Sequence, residues 1–102
     1  MRRLVFTLLS IAFIPAAATQ TMAQAAPTVV IIVRHAEKGT TPANDPPLTA
    51  AGTARAKALA ATVANANVQA VITTHLLRTK DTGKPTAESR GLPMEPVPVS
   101  GA

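Results

Sequence analysis

The sequence has 102 residues, with ten Lys and Arg against five Asp and Glu, no cysteine and two aromatic residues. This length allows one small domain, and the absence of cysteine excludes disulfide bonds. The scarcity of aromatic side chains leaves no stacking surface for single-stranded nucleic acid. The net charge of +5 therefore does not indicate a nucleic-acid partner, and none is expected.

The first 25 residues have the three parts of a secretory signal. Met1-Arg2-Arg3 is positively charged, residues 4–14 are almost wholly apolar, and Ala23-Gln24-Ala25 is a small-x-small cleavage site. The alternative is an uncleaved membrane anchor, but Pro15 breaks an apolar stretch that is already shorter than the roughly 20 residues of a spanning helix. The pattern favours the cleaved signal.

The pattern thus predicts cleavage after Ala25 and two regions, a signal peptide over 1–25 and a folded domain over 26–102. The protein would then be periplasmic or secreted, with no stable membrane anchor. Removal of Arg2 and Arg3 lowers the net charge from +5 to +3. Both phenylalanines also leave, so the core must come from aliphatic side chains and alanine.

A buried strand is predicted from Thr28 to Val33, where five β-branched apolar residues run up to Arg34 and His35. Such a run is typical of a strand covered on both faces in a parallel sheet. Ligands of open α/β sheets bind at the carboxyl ends of the strands. Arg34 and His35 are therefore placed to meet an anionic substrate.

A proline-rich loop over 36–47 follows, and its length makes a binding loop and a plain surface excursion about equally credible. The alanine-rich stretch after it predicts a helix over 50–65, capped by Thr49. Its buried stripe would be Gly52, Ala56, Leu59 and Val63, with the small residues letting its start approach a sheet closely.

Residues 68–74 predict a second strand, which would complete a right-handed βαβ unit and place Thr74 at the same edge as His35. A second helix is predicted over 75–91, with Thr74 or His75 near its cap, a kink or restart at Pro85 and a stop at Gly91. The proline-rich stretch from Leu92 to Val99 is a candidate third extended segment, although proline is excluded from a fully paired central strand.

This arrangement predicts a phosphate site. Arg34 and Arg78 can bind phosphoryl oxygens through bidentate charged hydrogen bonds, a helix start adds amide donors, and a neutral His35 can attack phosphorus. Taken singly, each residue also has an ordinary structural explanation, such as a loop histidine or a surface arginine on a helix. The pattern contains no spacing typical of a metal site, so no metal is expected.

Two further residues are possible accessories, Thr74 through its hydroxyl and Glu37 through its carboxylate. Glu37 lies two residues after His35 and is a candidate general acid. It could equally pair with Lys38 or an arginine and only orient the site.

Three segments together resemble the histidine phosphatase superfamily, which includes the phosphoglycerate mutases. They are Val33-Arg34-His35-Ala36-Glu37-Lys38, Pro47-Leu48-Thr49-Ala50-Ala51-Gly52, and Thr73-Thr74-His75-Leu76-Leu77-Arg78-Thr79-Lys80-Asp81-Thr82. They match the Arg-His motif at a strand end, the Leu-Thr-x-x-Gly helix start and the Ser/Thr-x-Leu-x-Arg-Thr segment. Ala36 replaces the commoner glycine after the histidine. The resemblance covers about residues 28–99.

The resemblance implies His35 as phosphoacceptor, Arg34 and Arg78 as phosphate ligands, a phosphorylated small molecule or phosphate as partner, and no cofactor. It also implies a three-layer αβα phosphoglycerate mutase-like fold. The family's second active-site histidine is not matched, since His75 lies inside the arginine motif. Residues 26–102 are therefore expected to be a partial domain, truncated after the first two strands and helices.

The predicted function is phosphomonoester hydrolysis through a phosphohistidine, incomplete in this chain. The alternatives are a non-enzymatic phosphate- or polyanion-binding fragment and an inactive truncated gene product. The motifs do not separate phosphatase from mutase, since both begin with a phosphohistidine.

Overall fold

A computed structural model describes residues 10–12 and 26–100 of the chain. Contacts divide the chain into two compact units, Met1–Val30 and Ile31–Ala102, and every described helix and strand belongs to the second. The signal peptide proposed for residues 1–25 lies outside the described residues apart from positions 10–12, so it stays a prediction. None of the described helices is long and apolar enough to cross a membrane.

Two helices and two strands form the second unit. In chain order they are α1 (Ala50–Thr62), β1 (Val71–Thr74), α2 (Leu77–Arg90) and β2 (Met94–Val97). The strands are parallel, with Val71 opposite Met94 and Thr74 opposite Val97. Helix α2 packs against both strands, and α1 packs against α2. The predicted α/β class is confirmed.

The prediction of a buried first strand over residues 28–33 is wrong for this structure. The segment is not a strand, and its side chains are exposed, with Val29 at 79% and Ile32 at 89% of full exposure. Val and Ile favour strands because they pack well on a pleated, half-buried surface, so their preference takes effect only where neighbouring strands and covering layers exist. Among the described residues, the one sheet is the β1–β2 pair.

The βαβ unit is therefore a different one from the unit that the sequence predicted. Its crossover is α2, which joins β1 to β2, instead of α1. The third extended segment is a strand despite its prolines, with Pro96 opposite Thr73. Proline is tolerated there because β2 has a single strand partner among the described residues, and an edge strand does not need all its amide donors.

Helix α1 begins as predicted and ends earlier, at Thr62 instead of residue 65. The Thr49 hydroxyl accepts a hydrogen bond from the Gly52 amide at 3.1 Å, which confirms the cap. Of the predicted stripe, Gly52 and Ala56 are buried, whereas Leu59 and Val63 are half-buried. The close approach made by the start of the helix is to the backbone of Glu37, not to a sheet strand.

Helix α2 starts two residues later than predicted, and its N-cap is Leu76, which makes no side-chain cap bond. The Asp45 carboxylate, from the loop, instead accepts a hydrogen bond from the Leu77 amide at 2.9 Å. The helix continues through Pro85 and ends at Gly91, which adopts the left-handed conformation with φ of 63°. The Gly91 stop is confirmed.

The core is built from small residues. The buried positions of α2 carry no large apolar side chain. They are Thr82, Gly83, Thr86 and Ala87. A Cβ on Gly83 would lie 2.9 Å from Val71 Cγ1, so the glycine lets α2 sit close to β1. This close packing fixes the position of the first turns of α2, which carry part of the candidate site.

Candidate active site

The segment after His35 is fixed to the start of α1. The Glu37 carbonyl accepts a hydrogen bond from the Thr49 amide at 2.9 Å, and Lys38 and Leu48 form an antiparallel bridge. A Cβ on Gly52 would overlap the Glu37 carbonyl oxygen, so only glycine allows this approach. The loop over 36–47 is thus closed at its base, and the residues next to His35 are held by backbone contacts.

The ring of His35 is half-buried and oriented by its neighbour. Its Nδ1 lies 2.7 Å from the carbonyl oxygen of Ala36. A carbonyl oxygen only accepts, so Nδ1 carries the proton and donates it. In the neutral ring this leaves the lone pair on Nε2, which is the nitrogen available to a substrate.

Ala36 is itself anchored in the core, at 3% of full exposure. Its amide donates to the hydroxyl of Thr82 at 2.9 Å, across 46 residues of sequence. The same hydroxyl donates to the carbonyl oxygen of Arg78 at 2.6 Å. Thr82 thus joins the segment that carries His35 to the turn of α2 that carries Arg78.

An open pocket of about 540 Å³ surrounds the candidate nucleophile. It is lined by Arg34, His35, Ala36, Glu37, Lys38 and Arg55. Three of these side chains are cationic and one is anionic, so the pocket suits an anionic ligand. Arg34 is exposed within it.

Glu37 is paired with Arg55, a residue of α1. The Arg55 Nε lies 2.7 Å from Oε1 and 3.0 Å from Oε2 of the carboxylate, and an Nη atom lies 2.6 Å from Oε1. The hydrogen bond from Arg55 lowers the pKa of the Glu37 carboxyl below its usual range. Glu37 is therefore ionised at neutral pH, which suits an orienting residue better than a proton donor. Pairing with an arginine was one of the two alternatives that the sequence left open.

Arg78 and Thr74 do not line this pocket. Arg78 is half-buried in the first turn of α2. The Thr74 hydroxyl lies 2.6 Å from the Thr79 hydroxyl and accepts from the Leu76 amide at 3.4 Å, so it closes the turn between β1 and α2. Arg34, His35 and Glu37 are thus brought together, while Arg78 is connected to them through Thr82.

Comparison with known proteins identifies the family. The sequence model of the histidine phosphatase superfamily (branch 1) matches residues 30–99, more than half of the chain. The chain belongs to the histidine phosphatase superfamily. No curated protein matches it.

The three motifs that carry the resemblance have clear structural roles. In the first motif, Arg34 and His35 line the pocket. In the second, Thr49 caps α1 and Gly52 lets the helix approach the backbone of Glu37. The third motif forms the turn from β1 into α2. Sequence reasoning missed Arg55 and Thr82. Arg55 is not part of the buried stripe predicted for α1, and nothing in the pattern connected it to Glu37. The one sequence signal for Thr82 is its position four residues after Arg78 in a helix. A threonine hydroxyl at this spacing can donate a hydrogen bond to the carbonyl of the earlier residue.

Among the described residues, no three His, Cys, Asp or Glu side chains are grouped in a way that could hold a metal ion.

Proposed function

We propose that this protein is a phosphomonoesterase in which His35 carries the phosphoryl group. The observation that carries the proposal is the His35 Nδ1 hydrogen bond to Ala36, which leaves Nε2 unprotonated beside cationic side chains. Membership in the histidine phosphatase superfamily supports the same chemistry. The substrate class is a phosphorylated small molecule, and either hydrolysis or transfer within a mutase is compatible with the site.

The reaction has two balanced steps. The Nε2 lone pair attacks phosphorus and the P–O bond to the leaving alcohol breaks, with the alcohol taking a proton from solvent. Water then attacks the phosphohistidine, giving phosphate and regenerating the imidazole. During the first step the ring gains positive charge, and the Ala36 carbonyl, already accepting from Nδ1, stabilises that charge.

Arg34 is proposed as a phosphate ligand in the pocket, and Arg78 as a second one that enters from the start of α2. Their charges would compensate the negative charge on the phosphoryl oxygens in the transition state. Arg55 and Lys38 raise the local positive charge further, while Glu37 holds the guanidinium of Arg55 in place. Thr74 is assigned to the turn that precedes Arg78.

The test uses the two histidines of the chain, His35 and His75, as a matched pair. The chain is incubated with p-nitrophenyl phosphate, and both released nitrophenolate and acid-labile, alkali-stable phosphohistidine are measured. His35→Ala should abolish both signals, whereas His75→Ala should retain them. Phosphohistidine that persists in His35→Ala would overturn the assignment.

A second candidate is a non-enzymatic phosphate-binding module, and the excess of cations in the pocket favours it. In that case inorganic phosphate binds to the chain, Arg34→Ala weakens binding, and neither turnover nor phosphohistidine is detected. Turnover that disappears in His35→Ala would exclude this candidate.

The setting of this activity is also part of the proposal. Residues 1–25 would direct export to the periplasm or the exterior, and residues 26–102 would be the partial phosphatase domain. The β1–α2–β2 unit would then belong to one part of a three-layer αβα fold of the phosphoglycerate mutase type. N-terminal sequencing of the exported protein would test the cleavage after Ala25.

A further inference from the structure

The feature that leads beyond the proposed function is the hydroxyl of Thr82. Thr82 lies in α2 at 6% of full exposure. Its Oγ1 has two hydrogen-bond partners, one in the segment next to His35 and one in the preceding turn of α2. It accepts from the Ala36 amide at 2.9 Å and donates to the Arg78 carbonyl at 2.6 Å. A hydroxyl has one proton and two lone pairs, so both bonds form together without competition.

The backbone amide and the backbone carbonyl of Ala36 each make one hydrogen bond, the amide as donor and the carbonyl as acceptor. The amide is held by Thr82, and the carbonyl oxygen accepts from Nδ1 of His35 at 2.7 Å. Since Ala36 is buried, neither group has water as a ready substitute partner. The position of the Ala36 carbonyl, and with it the tautomer of His35, therefore depends on where Thr82 holds the amide.

We propose that Thr82 is a positioning residue for His35: by anchoring Ala36 it selects the tautomer with the proton on Nδ1 and exposes Nε2 for attack. The same hydroxyl fixes the Arg78 turn relative to His35, so one side chain sets the geometry of the nucleophile and of a proposed phosphate ligand. The effect of Thr82 on catalysis rests on the proposed function, whereas its control of the His35 tautomer does not.

The structure provides an internal reference for this proposal. His75 has the opposite arrangement, because its Nδ1 lies 3.2 Å from the Val99 amide nitrogen and accepts from it. A neutral His75 must then carry its proton on Nε2. The two histidines of the chain should show opposite tautomers in one spectrum.

The test is long-range ¹H–¹⁵N correlation of the imidazole nitrogens at about pH 8, where histidine rings are neutral. The 102-residue chain should show a protonated Nδ1 for His35 and a protonated Nε2 for His75, with His35→Gln and His75→Gln assigning the signals. Thr82→Val, which removes the hydroxyl at nearly constant volume, should shift His35 to a mixture of tautomers and leave His75 unchanged. Thr82→Ser should restore the spectrum of the unaltered chain.

An unchanged His35 tautomer in Thr82→Val would overturn the proposal, as would a Thr82→Ser spectrum that matches the valine variant. If Thr82→Val fails to fold, measurements on the unaltered chain still test the proposal. Rapid hydrogen exchange at the Ala36 amide, or a His35 proton found on Nε2, is incompatible with the proposal.

A kinetic measurement separates this proposal from the proposed function. Thr82→Val should lower kcat by up to about a hundred-fold with a smaller change in KM, because a misplaced nucleophile affects the reaction more than binding. Absence of phosphohistidine in the unaltered chain, together with the tautomer shift in Thr82→Val, would remove the proposed function and leave the positioning role standing. A normal kcat in Thr82→Val would overturn the catalytic part of the positioning role.

Discussion

Replacing Gly52 by alanine should destabilise the chain and disturb the segment that carries His35. The new Cβ would overlap the Glu37 carbonyl oxygen and lie 3.0 Å from both the carbonyl carbon and the amide nitrogen of Glu37. All three are backbone atoms, so they cannot rotate away as a flexible side chain would. Relief requires the whole peptide segment to move.

The magnitude follows from two opposing effects. Overpacking of this kind costs about 1–3 kcal/mol. Alanine is a better helix former than glycine by up to about 1 kcal/mol, and this gain offsets part of that cost. Subtracting the full helix gain leaves a net loss of about 0–2 kcal/mol in the free energy of unfolding, and we expect the upper half of this range because the overlapped atoms belong to the backbone.

The assay is urea unfolding of the chain, combined with hydrogen exchange. Gly39→Ala is the matched control, because its Cβ would lie 3.5 Å from the Pro47 carbonyl oxygen, which is an ordinary contact. Gly52→Ala should also accelerate exchange of the Thr49 amide, which donates to the Glu37 carbonyl at 2.9 Å. A Gly52→Ala chain as stable as Gly39→Ala, with a protected Thr49 amide, would refute the close approach of α1 to Glu37.

Two further changes test contacts around the site. The folded-state pKa of Glu37 is lowered by the hydrogen bond from Arg55, so its stabilising contribution is present above the unfolded value of about 4.3 and is lost as pH falls through the lowered pKa. The stability difference between the unaltered chain and Glu37→Gln should accordingly vanish in acid and shrink in high salt; a difference that persists at low pH would argue against the pair. Thr49→Ala should cost about 1 kcal/mol through loss of the α1 cap, measured by urea unfolding, whereas Thr49→Ser should cost little. Equal stabilities of the two Thr49 variants would contradict the capping role.

The short-range features of the fold were accessible from the sequence because they depend on local chemistry. Thr49 caps α1 since its hydroxyl reaches an amide three residues on, and Gly91 ends α2 since glycine readily adopts the left-handed conformation. The motif order also identified the family, and the matched region of residues 30–99 confirms it.

Strand pairing required the tertiary structure, because partners and register depend on residues far apart in the chain. The apolar run over 28–33 has a stronger strand preference than the proline-rich stretch that became β2. Only β2, however, is paired with β1 in the described part of the chain. Preference alone does not supply a neighbour, and without one the hydrophobic run stays exposed.

The sequence by itself determined the candidate nucleophile His35, its neighbour Arg34, the cap of α1 and the stop of α2, since each rests on residue type and local spacing. Only the tertiary structure decided which groups hold them. Arg55 reaches Glu37 from another element, and Thr82 reaches Ala36 across 46 residues. The buried face of α2 is made of threonine, glycine and alanine, so it has no hydrophobic periodicity for a sequence pattern to detect.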